Sequence, residues 1–136
     1  MTTRFTADRV LAQLHDFQRA TVEHGFRRLY LDDDSTKRFL VADETGLGKT
    51  HVARGIIAKT IEYLQDNEAI KRINVIYVCS NSDIAEQNLR KLAITGTHQA
   101  TPATRLTMLV AQPDLLTPYS EDASKPVAFV SFTPAT

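Results

Sequence analysis

Apolar and polar positions switch between two periods along this chain, and the switches mark its elements. From about Ala7 to Leu31 the apolar residues Val10, Leu11, Leu14 and Phe17, then Val22, Phe26 and Leu29, recur at helical spacing. This predicts two helices with a break near His15, the second capped by Asp16. Gly25 weakens that second helix by about 1 kcal/mol relative to alanine. The polar stretch 32–37 follows. Its three aspartates, Asp32, Asp33 and Asp34, have no His or Glu partner at ligand spacing, so it reads as a solvated turn rather than a metal site. A short continuous apolar run at Arg38–Ala42 predicts a strand buried on both faces. From Lys49 to about Asn67, Val52, Ile56, Ile57, Thr60, Ile61 and Leu64 form one stripe, with Arg54, Lys59 and Glu62 mainly off it. That is a helix packed on a sheet.

The second half alternates in the same way. β-Branched and aromatic residues dominate Ile73–Cys79, the strongest strand signal in the chain. A polar turn, Ser80–Asp83, leads to a helix carrying Ala85, Leu89 and Leu92 on one side, with Asp83 and Glu86 spaced as a capping box. Gly96–Thr104 reads as a polar turn, Arg105–Val110 as a third strand and Asp114–Leu116 as a short turn or helix. Tyr119–Pro126 reads as a loop and Val127–Phe132 as a fourth strand. Strands alternating with helices predict an α/β fold, a three-layer α/β/α sandwich with a mostly parallel sheet. The length of 136 residues suits one domain, 1–136, with a helical N-terminal segment over 1–34.

Composition narrows the function classes. Formal net charge is zero, so charge alone does not argue for nucleic acid, and any such contact must be local. The single cysteine, Cys79, sits in an apolar run and reads as a small buried hydrophobe. The N-terminus lacks an apolar secretory segment, and no apolar run approaches a membrane span. The expectation is an intracellular protein, cytoplasmic or nucleoid-associated, with no membrane partner.

The chemistry is concentrated between the first predicted strand and the long helix, in Asp43-Glu44-Thr45-Gly46-Leu47-Gly48-Lys49-Thr50. Strand, glycine-bearing turn, helix is the context a phosphate-binding loop requires. Gly46 and Gly48 can take positive φ and let the backbone approach an anion. A helix starting near Lys49 turns its unpaired N–H groups and positive dipole end toward that anion. Lys49 brings a full charge to the β- and γ-phosphates, and the Thr50 hydroxyl is a Mg²⁺ ligand. The general pattern wants glycine where this chain has Asp43.

The run Ala42-Asp43-Glu44-Thr45-Gly46-Leu47-Gly48-Lys49-Thr50 resembles motif I of superfamily 2 helicases and translocases, especially the Swi/Snf-type ATPases, whose usual form carries that aspartate. The resemblance implies a RecA-like P-loop fold, nucleotide binding through Glu44, Thr45, Gly46, Leu47, Gly48, Lys49 and Thr50, ATP with Mg²⁺, and Lys49 as the catalytic cation. Phe17-Gln18, upstream, is similar to the Q motif. A glutamine amide donates and accepts at once, matching the adenine N6 and N7 edge. The Ser80-Asn81 turn resembles motif Ia, and Thr133-Pro134 resembles the Thr-Pro turn that precedes motif II; both imply contacts to a nucleic-acid backbone, DNA before RNA. Short hydroxyl and amide groups at a helix N-terminus suit phosphate oxygens. An ordinary helix cap and an ordinary turn explain the same residues.

Downstream of Lys49 no Asp-Glu pair follows an apolar strand, so the carboxylates that hold Mg²⁺ and orient water are not legible. A second RecA-like domain is not legible either. The expectation is the N-terminal part of a longer helicase-like ATPase, marginally stable or associating alone, with a missing RecA-like domain as partner. The leading function is the ATP-binding portion of a nucleic-acid-dependent helicase or translocase. The rival is a nucleotide-dependent interaction module or switch without motor activity.

Overall fold

The computed structural model describes residues 4–92, 94, 101–103 and 125–134. Their order is α1 (Asp8–Ala12), α2 (Asp16–Phe26), a π-helical turn (Arg27–Leu31), α3 (Lys49–Leu64), β1 (Ile73–Val78), α4 (Ser82–Leu92), β2 (Thr101–Ala103) and β3 (Val127–Phe132). The unit is mixed α/β around a small sheet of order β1–β3–β2, parallel at both pairings. Ile73 stands beside Val127 and Val78 beside Phe132, so β1 and β3 begin and end together.

The break between the first two helices falls where the apolar period slips, and two long polar side chains hold it. The Arg19 guanidinium donates to the carbonyls of Leu11 (3.3 Å) and Leu14 (3.1 Å); the Leu11 carbonyl also accepts the Leu14 N–H at 3.1 Å. The cap of α2 is His15 and not Asp16: the His15 N–H donates to Gln18 Oε1 at 3.0 Å, while Asp16 opens the helix and lies 3.7 Å from Arg19. At the far end of α2 the backbone widens into the π-turn. There Arg28 bridges Asp32 (3.0 Å) and Asp34 (2.8 Å), so those carboxylates are tied to a cation of the preceding turn.

Helix α3 is the spine. Ile61 is fully buried with Ile73, Val127 and Phe129, against partly buried Ile57, Leu64, Ile70 and Val75. Nearer its N-terminus Val52 packs with Leu14 and Val22, beside Val41 and Ile56. The helix ends at Leu64, where Lys125 Nζ donates to the Leu64 carbonyl at 3.1 Å and also to the Asn67 carbonyl. Gln65 is buried and exchanges hydrogen bonds with the Phe5 backbone, 3.0 Å to its N–H and 2.8 Å to its carbonyl, which docks the N-terminal segment. Arg4 pairs with Asp66 alongside, and its hydrogen bond holds the Asp66 carboxyl below the usual carboxylate range.

The structure corrects four further expectations. Arg38–Ala42 forms no ladder with the sheet among the described residues. Only one side of it is covered: Phe39 and Val41 face the α2–α3 packing, and Leu40 is 83% exposed. Thr101–Ala103, expected in a polar turn, is a strand on β3, with Thr101 opposite Val130. Helix α4 starts at Ser82, because Asn81 Oδ1 accepts the N–H groups of Asp83 (2.9 Å) and Ile84 (3.1 Å); Glu86 instead pairs with Arg90 at 2.6 Å. Cys79 is half-buried rather than buried, with its Sγ 3.3 Å from the Asn81 carbonyl. The predicted strand Arg105–Val110 and the segments 114–116 and 119–124 lie outside the described residues.

Strand β3 is buried from Val127 to Ser131, the reading its continuous apolar run requires. Strand β1 alternates, with Ile73 and Val75 inward and Ile76 and Val78 51% and 62% exposed. Tyr77 points to the helical side, where Asn88 of α4 donates to its hydroxyl at 2.9 Å. Among the described residues no helix is long and apolar enough to cross a membrane.

Gly55 sets how closely α2 and α3 approach. A Cβ there would stand 2.7 Å from one Val22 methyl and 3.1 Å from a Leu14 methyl. Gly55→Ala therefore gains about 1 kcal/mol in helix propensity and loses more, on the order of 1–3 kcal/mol, to overpacking against a stiff β-branched side chain. A lowered urea midpoint for Gly55→Ala is the expected result; a raised one would refute this packing.

Candidate functional site

The loop 43–48 joins the unpaired segment 38–42 to α3, and its shape comes from two glycines. Gly46 has φ +91° and Gly48 φ +82°, in the region closed to most L-residues. Gly48 is the N-cap of α3 and no side chain caps that helix end. The His51 and Val52 N–H groups donate back to the Gly48 carbonyl, at 2.9 and 3.1 Å, while Lys49 and Thr50 make no such bond. The start of α3 thus presents backbone donors and the positive end of the helix dipole together. Glu44, Thr45, Gly46, Leu47 and Lys49 are exposed and Thr50 is half-buried beside them. Nothing stands within 4 Å of a Cβ placed on Gly46. Open space, backbone donors, an ammonium group and a hydroxyl form a donor set that fits polyphosphate with a hard cation.

Gln18 reaches this loop from α2. It is 5% exposed, and its Nε2 donates to the Leu47 carbonyl at 3.0 Å while its Oε1 holds the His15 N–H. A Cβ on Gly48 would come within 2.4 Å of that nitrogen. The contact joins residues far apart in sequence. The spacing of Gln18 and the loop carries no signal of it, and neither His15 nor the Leu47 carbonyl was legible as part of the site.

The other expected residues come together through the parallel register. Ser80 and Asn81 follow β1, Thr133 and Pro134 follow β3, and the Cys79 N–H donates to the Phe132 carbonyl at 3.1 Å. Both turns therefore leave the same carboxyl end of the sheet, where α/β folds open their crevices. Ser80, Asn81 and Pro134 are exposed, and Thr133 is half-buried. The Asn81 oxygen is occupied by the α4 cap, which leaves its amide N–H groups for any other partner. The second half of α3 shares a cavity of about 400 Å³ with Arg72–Ile76 at the start of β1. The beginning of α3, and the loop with it, therefore lies toward the same carboxyl end.

A family model described as the type III restriction enzyme, res subunit, matches residues 6–130. The chain belongs to that family, which is superfamily 2 helicase-like, and the unit is a P-loop domain of the helicase-family ATPase type. No curated protein matches the chain. No solved structure matches it either.

The two loop glycines differ in their surroundings, and that difference is measurable. Alanine at either position meets the left-handed backbone cost of about 1–2 kcal/mol. Gly48→Ala must also displace the Gln18 amide, so its melting temperature should fall further than that of Gly46→Ala. Equal falls would mean that Gln18 does not crowd the loop.

Proposed function

We propose that this chain is the ATP-binding portion of a nucleic-acid-dependent helicase or translocase ATPase of superfamily 2. The observation that carries the reading is a loop with two left-handed glycines feeding an uncapped helix start that bears Lys49 and Thr50. In this reading the backbone of Glu44, Thr45, Gly46, Leu47 and Gly48 wraps the β- and γ-phosphates. Lys49 neutralises charge that builds on the transferring phosphoryl group, which is the main work a protein does in this chemistry. The Thr50 hydroxyl would be one ligand of Mg²⁺, a hard cation that would offset the charge of the phosphates. Gln18 reads the adenine edge with the N–H and lone pair that its two backbone bonds leave over.

The turns at Ser80-Asn81 and Thr133-Pro134 contact a nucleic-acid backbone, DNA before RNA, following the Swi/Snf-type form of motif I. Their shared position at the carboxyl end of β1 and β3 supports this, since a single strand can then touch both. A further RecA-like domain supplies the groups that close the site for hydrolysis.

Two measurements test the reading. Lys49→Ala should weaken ATP binding by about tenfold to a hundredfold, the worth of a charge-assisted hydrogen bond of ~1.5–3 kcal/mol. Unchanged affinity would dissolve the loop assignment. DNA should raise the ATPase rate or ATP affinity of the protein; ATP binding indifferent to both DNA and RNA would favour a nucleotide switch without motor activity.

A further inference from the structure

The far half of α3 carries a second cluster, apart from the loop. Lys59, Glu62, Tyr63 and Asp66 fall on one side of the helix and of the turn that follows it, because residues three and four apart share a face. With Arg4 and Phe26 they line a cavity of about 280 Å³. At ~1.5 Å per residue, Tyr63 lies about 20 Å along the axis from Lys49, so the cavity is separate from the phosphate loop.

Two of its walls are aromatic. Phe26 and Tyr63 meet edge to face at 5.6 Å, and Tyr30 packs against both, at 5.2 and 5.6 Å. Tyr63 stays 47% exposed, so its ring is open to a partner. This aromatic cluster already holds one cation. Lys59 Nζ lies 4.9 Å from the centre of the Phe26 ring while it bonds both oxygens of Glu23, at 2.8 and 2.7 Å.

The charges around the cavity do not balance. Lys59 is committed to Glu23, and Arg4 to Asp66. Lys125, which also acts on Asp66, is engaged by the carbonyls of Leu64 and Asn67. Glu62 is half-buried and forms no ion pair among the described residues. Arg4 is drawn to it far less than to Asp66. One Glu62 oxygen accepts the Ala7 N–H at a long 3.4 Å, which leaves the other for a new donor.

A half-buried carboxylate beside an open aromatic ring complements a guanidinium. That group is planar and weakly hydrated, stacks on rings, and forks onto a carboxylate. A polyanion is repelled by the same carboxylate. The cavity falls just below the range of small-molecule pockets, about 300–1,000 Å³, and suits a single side chain.

We infer that this cavity docks an arginine side chain of a partner protein, its guanidinium stacked on Tyr63 and bonded to the Glu62 carboxylate. The site is independent of what the loop binds, and occupying it leaves the loop open.

The test is an NMR titration of the whole chain with three probes: acetyl-Gly-Arg-Gly-amide, its citrulline counterpart, and oligothymidylate. Citrulline keeps the shape of arginine without the charge. Wild type, Glu62→Gln and Tyr63→Leu are compared. Glutamine keeps an oxygen for the Ala7 N–H, so Glu62→Gln loses the charge and retains that contact. The arginine peptide should shift the Glu62, Tyr63 and Asp66 resonances of the wild type and bind about tenfold more weakly to each variant, the worth of one charge-assisted or cation–π contact. The citrulline peptide should bind the wild type about tenfold more weakly as well. Equal affinity for the two peptides, or wild-type affinity in Glu62→Gln, would overturn the inference. So would the absence of shifts up to ~10 mM arginine peptide. Oligothymidylate shifting the same resonances more strongly than the peptide would make this a nucleic-acid surface and overturn it too.

Discussion

A helix that begins on a left-handed glycine leaves its first N–H groups without intrahelical partners, and much of this molecule serves to hold that end open and aimed. Nothing caps α3 at Gly48. Below the open turn, Val52 is clamped by Leu14 and Val22, and Gly55 lets α2 come close enough for Gln18 to reach the loop. At the opposite end, Ile61 anchors the helix on β1 and β3, while Lys125 satisfies carbonyls at its C-terminus. The spine is thus held at both levels, near its start and near its end.

The sheet provides the second fixed reference. Parallel strands in register send successive turns out at one end, and the start of α4 sits there as well. That one end gathers short polar side chains, helix N-termini and a lysine, with the net charge of the whole chain at zero. In the proposed reading, a polyanion at this end would be attracted by oriented dipoles and the Lys49 ammonium group instead of a broad basic field.

Membership of the type III restriction enzyme res-subunit family agrees with the glycine-bearing loop and the helix that starts on it, although the segment 38–42 before the loop pairs with no strand among the described residues. Away from the site the surface is less finished. Leu40, Ile76 and Val78 are exposed apolar residues, two of them on β1, an edge strand among the described residues. Apolar residues on an unpaired strand edge are where pairing with further chain is most favourable.

Periodicity by itself determined the helices α2, α3 and α4 and the strands β1 and β3, because each buries one face or both and the apolar spacing records that burial. The loop glycines and Lys49 were legible for a similar reason: a positive φ and an anion leave their mark on residue type at fixed spacing. Tertiary structure alone decided the rest. Arg38–Ala42 has the composition of a strand, yet composition cannot supply a hydrogen-bonding neighbour, and helices α2 and α3 claimed its inward side chains. Thr101–Ala103 has the composition of a turn, yet β3 offered it an open edge. Asn81 displaced Asp83 as a cap because the helix starts at Ser82, which puts the Asn81 oxygen at the Asp83 and Ile84 N–H groups. Gln18 meets Leu47 only because two helices pack without a Cβ between them, and a contact made by packing across the fold has no period along the chain to announce it.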